Sequence, residues 1–138
     1  MQEPIDLEQY MGKWYEIRRS DNPFQRKCIS GTTTATYTLL DDKKTVKVEN
    51  VCETVSGQTI AVGTAWMSGP RTLSITFLPF VPFLPRVLAH VFSSSYIIKY
   101  VSHDYKYAVV RSGKLWWILS KEKNVTQSNL KDLLKKVP

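Results

Sequence analysis

The chain has 138 residues, of which 43% are hydrophobic and two are cysteines. These values predict a single globular domain over residues 1–138, and they exclude wholesale disorder and a miniprotein built on disulfides. The 19 basic residues exceed the 12 acidic ones, giving a net charge of +7, but they are scattered and form no nucleic-acid-binding motif, so we expect no nucleic-acid partner.

Short runs in which apolar and polar residues alternate dominate the chain and predict strands. Thr34–Leu39 and Val46–Glu53 have this pattern, with the polar turn Asp41–Lys44 between them. Eight such strands, mostly joined by short links, predict an all-β fold, an antiparallel up-and-down barrel whose closure removes exposed edges. The other six runs are Trp14–Arg19, Gln58–Met67, Leu73–Phe77, Tyr96–Val101, Tyr105–Arg111 and Leu115–Lys121.

The end of the chain has helical periodicity. Leu130, Leu133, Leu134 and Val137 follow the i, i+3, i+4, i+7 spacing of one apolar stripe, and Thr126 or Ser128 could cap the helix. In the last strand, the outward residues Trp116 and Ile118 are apolar where a solvated face would be polar. We therefore expect the C-terminal helix to pack on the outside of the barrel over these two residues.

Three sequence motifs resemble the signatures of the lipocalin family, in the family's order. Gly12 to Ile17 (G-K-W-Y-E-I) resembles the G-x-W start, Asp104–Ala108 resembles the second signature, and Trp117–Lys121 (W-I-L-S-K) is similar to the third. The subgroup that the chain resembles contains bacterial lipocalins, apolipoprotein D and plant temperature-induced lipocalins.

This resemblance implies a lipocalin barrel that is closed at one end, open at the other, and able to hold one small apolar ligand. The resemblance also places a set of signature residues at the closed end of the barrel, which we call the floor. Lys121 stands where the family has arginine, and lysine lacks the planar guanidinium fork. The floor residues are Gly12, Trp14, Asp104, Tyr105 and Lys121.

Alternation along the strands predicts which residues face the interior. Four tyrosines are among them, and because each buried hydroxyl needs a partner, they favour a solvated cavity over a dry core. Arg18 and Arg111 are expected near the mouth, where they could bind an anionic head group. The predicted ligand-binding residues are Glu16, Tyr37, Val48, Asn50, Phe77, Tyr96, Ile98, Tyr100, Tyr107 and Trp117.

The two cysteines, Cys28 and Cys52, are expected at the open end of adjacent strands, where a disulfide is plausible if a bulge or loop corrects the register. A disulfide would indicate an oxidising compartment. No metal or haem ligand spacing and no nucleophile motif occurs, so we expect no cofactor, no metal and no catalysis.

The long link from Phe77 to Phe92 is apolar, but Arg86, His90 and three prolines interrupt it, so it does not predict a transmembrane helix. Long loops are usually functional, and we expect this one to contact a membrane at the open mouth; a lid over the cavity and a dimer contact are the alternatives. The expected contact residues are Phe80, Val81, Phe83, Leu84, Val87 and Leu88.

Together these features predict a carrier that binds a fatty acid or lysophospholipid and catalyses no reaction on it. One alternative is a membrane-docking protein whose cavity is incidental, and another is an isomerase that uses a free cysteine. The start, Met1 to Pro4, lacks the basic and apolar regions of a signal peptide. We expect an exported, periplasmic or membrane-associated protein on the outer-membrane side, with the cytoplasmic face of a membrane as the open alternative, and the sequence leaves the oligomeric state undetermined.

Overall fold

The computed structural model describes residues 3–21, 26–77 and 94–138. Its eight strands form one closed antiparallel barrel in chain order, with the last strand paired to the first, which confirms the predicted fold class. In the described part of the chain, no helix is long and apolar enough to cross a membrane. The strands are β1 (Gly12–Arg19), β2 (Thr34–Leu39), β3 (Thr45–Thr54), β4 (Gly57–Gly69), β5 (Thr72–Thr76), β6 (Ser94–Val101), β7 (Tyr107–Ser112) and β8 (Leu115–Ser120).

Within the described residues, one helix precedes the barrel strands and one follows them. The predicted C-terminal helix, α2, spans Gln127–Leu134, and the Thr126 side chain caps it by accepting from the Asn129 N–H. Its Leu133 is buried on the outer barrel face, in a cluster with Val109 and Ile118 that Trp116 also contacts, as the apolar outer face of the last strand predicted. The N-terminal helix, α1, spans Leu7–Tyr10 and was not predicted; Asp6 caps it.

Register shifts interrupt three strands, and each is a one-residue bulge. They lie at Ile17 in β1, between Met67 and Gly69 in β4, and at Lys99 in β6. Because successive side chains in a strand point to opposite faces, one extra residue moves every later side chain to the other face. The bulges therefore decide which side chains reach the barrel interior.

The interior positions predicted for β6 and β7 are partly wrong. After the Lys99 bulge, Tyr100 pairs with Val109, and both lie in the outer cluster beneath α2 together with Tyr107. In β7 the cause is the hairpin to β8. Its two-residue loop pairs Ser112 with Leu115, which places Val110 beside the inward Trp117 and therefore turns Tyr107, three residues earlier, to the outer face.

Candidate functional site

The closed end of the barrel is built around Trp14, which is fully buried. Its indole Nε1 donates to the Tyr10 carbonyl at 2.8 Å, which ties α1 beneath the barrel. Lys121 Nζ lies 4.8 Å from the Trp14 ring centroid and donates to the Met11 carbonyl at 2.6 Å. Burial lowers the pKa of Lys121. Lysine thus supplies the cation over the tryptophan with an ammonium group, which also donates to the Gln9 carbonyl, and not with a planar guanidinium.

The other predicted floor residues also lie at this end. Gly12 has φ +113°, and a Cβ on it would be 3.3 Å from Lys121 Nζ, so the backbone conformation and the close contact both favour glycine. The Tyr105 hydroxyl accepts from the Asp6 N–H at 2.9 Å. Asp104 accepts from the Ser102 hydroxyl and from the Lys106 N–H in the β6–β7 turn, and these bonds lower the pKa of its carboxyl group.

Above this floor the barrel encloses a cavity of about 420 Å³. This volume is within the range of about 300–1,000 Å³ that is typical of small-molecule sites. Of the ten predicted ligand-binding residues, six line the cavity: Glu16, Tyr37, Asn50, Phe77, Tyr96 and Trp117. Their contact with a ligand remains a prediction.

Four of the predicted ligand-binding residues do not line the cavity. Val48 and Ile98 face the interior but are packed into the dense core, with at most 1% of their surface exposed. Tyr100 and Tyr107 lie outside the barrel, where the Tyr107 hydroxyl accepts from Asn129 of α2 at 3.3 Å and Lys136 Nζ lies 4.6 Å from the Tyr100 ring centroid. The count of four interior tyrosines was therefore wrong, although a cavity is present.

Tyrosine hydroxyls nevertheless gather at the deep end of the cavity. Tyr37 and Tyr96 line it, and the Tyr10 ring packs on Tyr37 with ring centroids 5.4 Å apart. Burial raises the pKa of all three phenols. They therefore remain protonated and uncharged at neutral pH. On the cavity wall, Tyr96 also packs on Trp117, with ring centroids 5.3 Å apart.

An ion pair that the sequence did not predict lies in the wall. Glu16 is 8% exposed, and its Oε2 is 2.9 Å from Arg19 Nη1. The Ile17 bulge brings both residues to the inner face, because Glu16 pairs with Leu119 and Arg19 with Trp117. A strict alternation would have put Arg19 outside, which is why it was missed.

The two arginines expected at the mouth make other contacts. Arg18 is exposed, and its Nη1 donates to the carbonyl of Ile17. Arg111 Nε donates to the Gly113 carbonyl in the β7–β8 turn. Neither residue lines the cavity, so the expected anchor for an anionic head group is not formed by them.

The rim opposite the floor carries the predicted disulfide. Cys28 and Cys52 are bonded, with their Cα atoms 5.6 Å apart, and both line the cavity. Cys28 lies in the loop before β2, and this loop corrects the register, since the Ile29 N–H donates to the Glu53 carbonyl. The bond uses both cysteines of the sequence, so the cysteine-dependent isomerase alternative has no free thiol. A disulfide indicates an oxidising compartment.

Phe77 is placed at the rim by a glycine. A Cβ on Gly63 would lie 2.7 Å from the Phe77 ring and 2.6 Å from the Thr76 carbonyl oxygen. The absent side chain therefore provides the space into which the ring packs. The loop residues predicted to contact a membrane, Phe80, Val81, Phe83, Leu84, Val87 and Leu88, lie outside the described residues.

Comparisons with known proteins agree with this architecture. The lipocalin-like domain family matches residues 5–138. A lipocalin of Acanthamoeba polyphaga mimivirus is 36% identical over 138 residues, covering 96% of this chain and 76% of the viral protein. Temperature-induced lipocalin-1 of Arabidopsis thaliana is 31% identical over 141 residues, covering 96% and 71%. Among solved structures, the cockroach allergen Per a 4 has the same fold, with a TM-score of 0.72 and 22% identity, covering 99% of this chain and 81% of the allergen.

Proposed function

The chain belongs to the lipocalin family, whose members generally bind small hydrophobic ligands, and we propose that it carries a lipid with a single acyl chain in its barrel cavity. The observation that carries this proposal is the cavity of about 420 Å³, lined by Ile75, Val110, Leu115 and Leu119 together with aromatic rings. An apolar wall with a few polar groups is the usual design of a small-molecule site. Fatty acids and lysophospholipids are the two ligand classes that we propose.

Tryptophan fluorescence tests the proposal, since Trp117 lines the cavity and packs on Tyr96. Titration with palmitate or 1-palmitoyl-lysophosphatidylcholine should change the emission and raise the melting temperature. A free ligand concentration of 100 times Kd stabilises the folded state by about 2.7 kcal/mol. If several acyl ligands leave both emission and melting temperature unchanged, the carrier proposal is wrong.

Two matched variants locate the response. Trp117→Phe should abolish most of the change in emission, because it removes the reporter from the cavity. Trp116→Phe should retain the change, because Trp116 contacts the outer cluster beneath α2. A response that survives in Trp117→Phe and disappears in Trp116→Phe would place the ligand outside the barrel. Native mass spectrometry of the purified protein would identify lipids that co-purify with it.

A second candidate function is docking of the open mouth on a membrane. Among the described residues of the rim, Val55 is 98% exposed, Ile29 46% and Phe77 40%. Arg26 and Lys27 are exposed in the same loop as Ile29, so basic charge accompanies the apolar side chains. Such a combination favours anionic lipid headgroups, and a docked mouth would let a lipid enter without crossing water.

Co-sedimentation with vesicles of phosphatidylcholine and phosphatidylglycerol tests this second candidate. The double variant Ile29→Ser/Val55→Ser should bind the vesicles more weakly than wild type. Ile97→Ser is the matched control, because Ile97 is 51% exposed but lies on the outer barrel wall. Equal partitioning of all three proteins at low salt would reject docking through this rim.

A further inference from the structure

Glu16 is the one charged side chain among the described residues that line the cavity. The rest of the described lining is apolar or carries hydroxyls, an amide and the disulfide. The phenols of Tyr37 and Tyr96 stay uncharged, because burial raises their pKa values. Among the described residues, the lining thus presents a carboxylate to a ligand, and the cation on the same inner face, Arg19, does not itself line the cavity.

The nearby arginine does not reverse this polarity. Arg19 Nη1 is paired with Glu16 Oε2 at 2.9 Å, and Nη2 donates to the Cys28 carbonyl at 3.4 Å. The guanidinium is thereby already engaged with acceptors, and the net charge of the pair is zero. Arg19 stabilises the buried carboxylate and does not provide a free anchor for a second one.

Within the described wall, a carboxylate at the end of an acyl chain therefore finds no cation that is not already bound to other acceptors. To bury its chain, a fatty acid must either bring its charged group beside Glu16 or hold it at the rim and withdraw part of the chain. Beside Glu16 the ligand carboxylate would lose its hydration at a site whose cation already pairs with another carboxylate, and burying a charge without a partner of its own is unfavourable. An ester or a hydroxyl next to the chain avoids this cost.

The wall also offers a partner for an uncharged polar group. The Asn50 side chain lines the cavity and makes no hydrogen bond within the described chain. Its neighbours across the ladder are Ala35 and Ala61, whose small side chains leave the amide accessible. An amide both donates and accepts, so it can bind a hydroxyl or an ester carbonyl equally well.

We propose that Glu16 determines the charge specificity of the cavity. The cavity then binds single-chain lipids whose buried polar group is an uncharged hydroxyl or ester in preference to free fatty acids. The inference rests on the proposed carrier function. Of the two ligand classes proposed above, it disfavours the fatty acid. Asn50 is the partner that we assign to the uncharged group.

The experiment compares two lipids with the same acyl chain, palmitate and 1-monopalmitoylglycerol, by fluorescence titration of the full chain at neutral pH below their aggregation limits. Wild type should bind monopalmitoylglycerol at least about tenfold more tightly, a difference of about 1.4 kcal/mol. Glu16→Gln should tighten palmitate binding by about tenfold or more, since it removes one negative charge and leaves Arg19 without the carboxylate. It should leave monopalmitoylglycerol within about twofold.

Glu49→Gln is the matched control. Glu49 does not line the cavity, so this variant makes the same change in net charge and should alter neither affinity. If wild type binds the two lipids equally, or if Glu16→Gln leaves palmitate unchanged, the charge specificity is wrong while the carrier function stands. If neither lipid binds to any variant and 1-palmitoyl-lysophosphatidylcholine also fails to bind, the carrier function itself is wrong. Should Glu16→Gln fail to fold, the comparison of lipids on wild type still decides.

Discussion

Removal of the Cys28–Cys52 disulfide should destabilise the protein by about 3.5 kcal/mol. The bond joins residues 24 positions apart. In the chain-entropy model, a closed loop of about this size restricts the unfolded chain by about 12 cal/mol/K, or roughly 3.5 kcal/mol at room temperature. For a domain of this length, each kcal/mol shifts the melting temperature by roughly 3–4 °C, so we expect a fall of about 10–14 °C.

Urea and thermal unfolding of the double variant Cys28→Ala/Cys52→Ala, followed by circular dichroism, measures this loss. Wild type kept in reducing agent is the control and should unfold close to the double variant. Two titratable thiols in unfolded, unreduced wild type would show that the bond does not form. A double variant within about 1 kcal/mol of wild type would refute the entropic reasoning, because the loop would then be restrained by other contacts.

The remaining predictions concern the outer helix, the floor and the acid limb. Leu133 is 3% exposed, so Leu133→Ala should lower the free energy of unfolding, measured in urea, by about 2–4 kcal/mol. Leu134 is 41% exposed, so Leu134→Ala should lower it by less than about 1 kcal/mol. Equal losses would contradict the packing of α2. Lys121→Met removes the cation over the Trp14 ring and should lower the free energy of unfolding by about 1–2 kcal/mol. The loss is no larger because burial disfavours the charged ammonium, which lowers its pKa and offsets part of the stabilisation from its contacts. Lys123→Met, at an exposed position, should cost nothing measurable, and an unchanged Lys121→Met midpoint would reject the floor contact. Hydrogen bonds lower the pKa of Asp104 in the folded protein below its usual value of 3.8. The contribution of Asp104 to the free energy of unfolding is therefore complete above pH 3.8 and is lost as the pH falls through the lowered pKa of the folded state. Asp104→Asn should therefore flatten the acid limb of a stability–pH curve, and a limb parallel to wild type would count against this role.

The regular strands were predictable because a buried face imposes period-two alternation. Tyr37 pairs with Val48 and Ala35 with Asn50, as the alternation in β2 and β3 implied. The C-terminal helix was predictable for a similar reason. Its apolar stripe and the apolar outer face of β8 each needed a partner, and they cover one another.

Two errors had a cause that the sequence contains. Gly113 and Lys114 form a two-residue hairpin loop with Gly113 at φ +59°, and such a loop fixes the register of β7 against β8. Applied to that hairpin, this rule places Tyr107 and Val109 outside. The α1 helix also left a trace, since Asp6 is followed three residues later by Gln9, a spacing typical of a helix start; Asp6 caps the helix and accepts from the Gln9 side chain at 2.8 Å.

Other features had no trace in the local pattern. Nothing in the sequence around Ile17 or Lys99 marks a bulge, yet these bulges bring Arg19 to the inner face beside Glu16 and move Tyr100 outside. A bulge relieves strain in a strand that must curve and pair on both sides within a closed barrel. Its position therefore depends on all neighbouring strands together.

The sequence by itself determined the number of strands, their apolar faces, the outer helix and the lipocalin motifs, because these depend on the periodicity and chemistry of neighbouring residues. Only the tertiary structure decided the electrostatics of the cavity. The Glu16–Arg19 pair on the inner face depends on the register between β1 and β8, which are distant in sequence, and the Phe77 ring packs on Gly63 through the pairing of β4 with β5. A shift of one residue exchanges the inner and outer faces, so the charge that a ligand meets is fixed when the barrel closes.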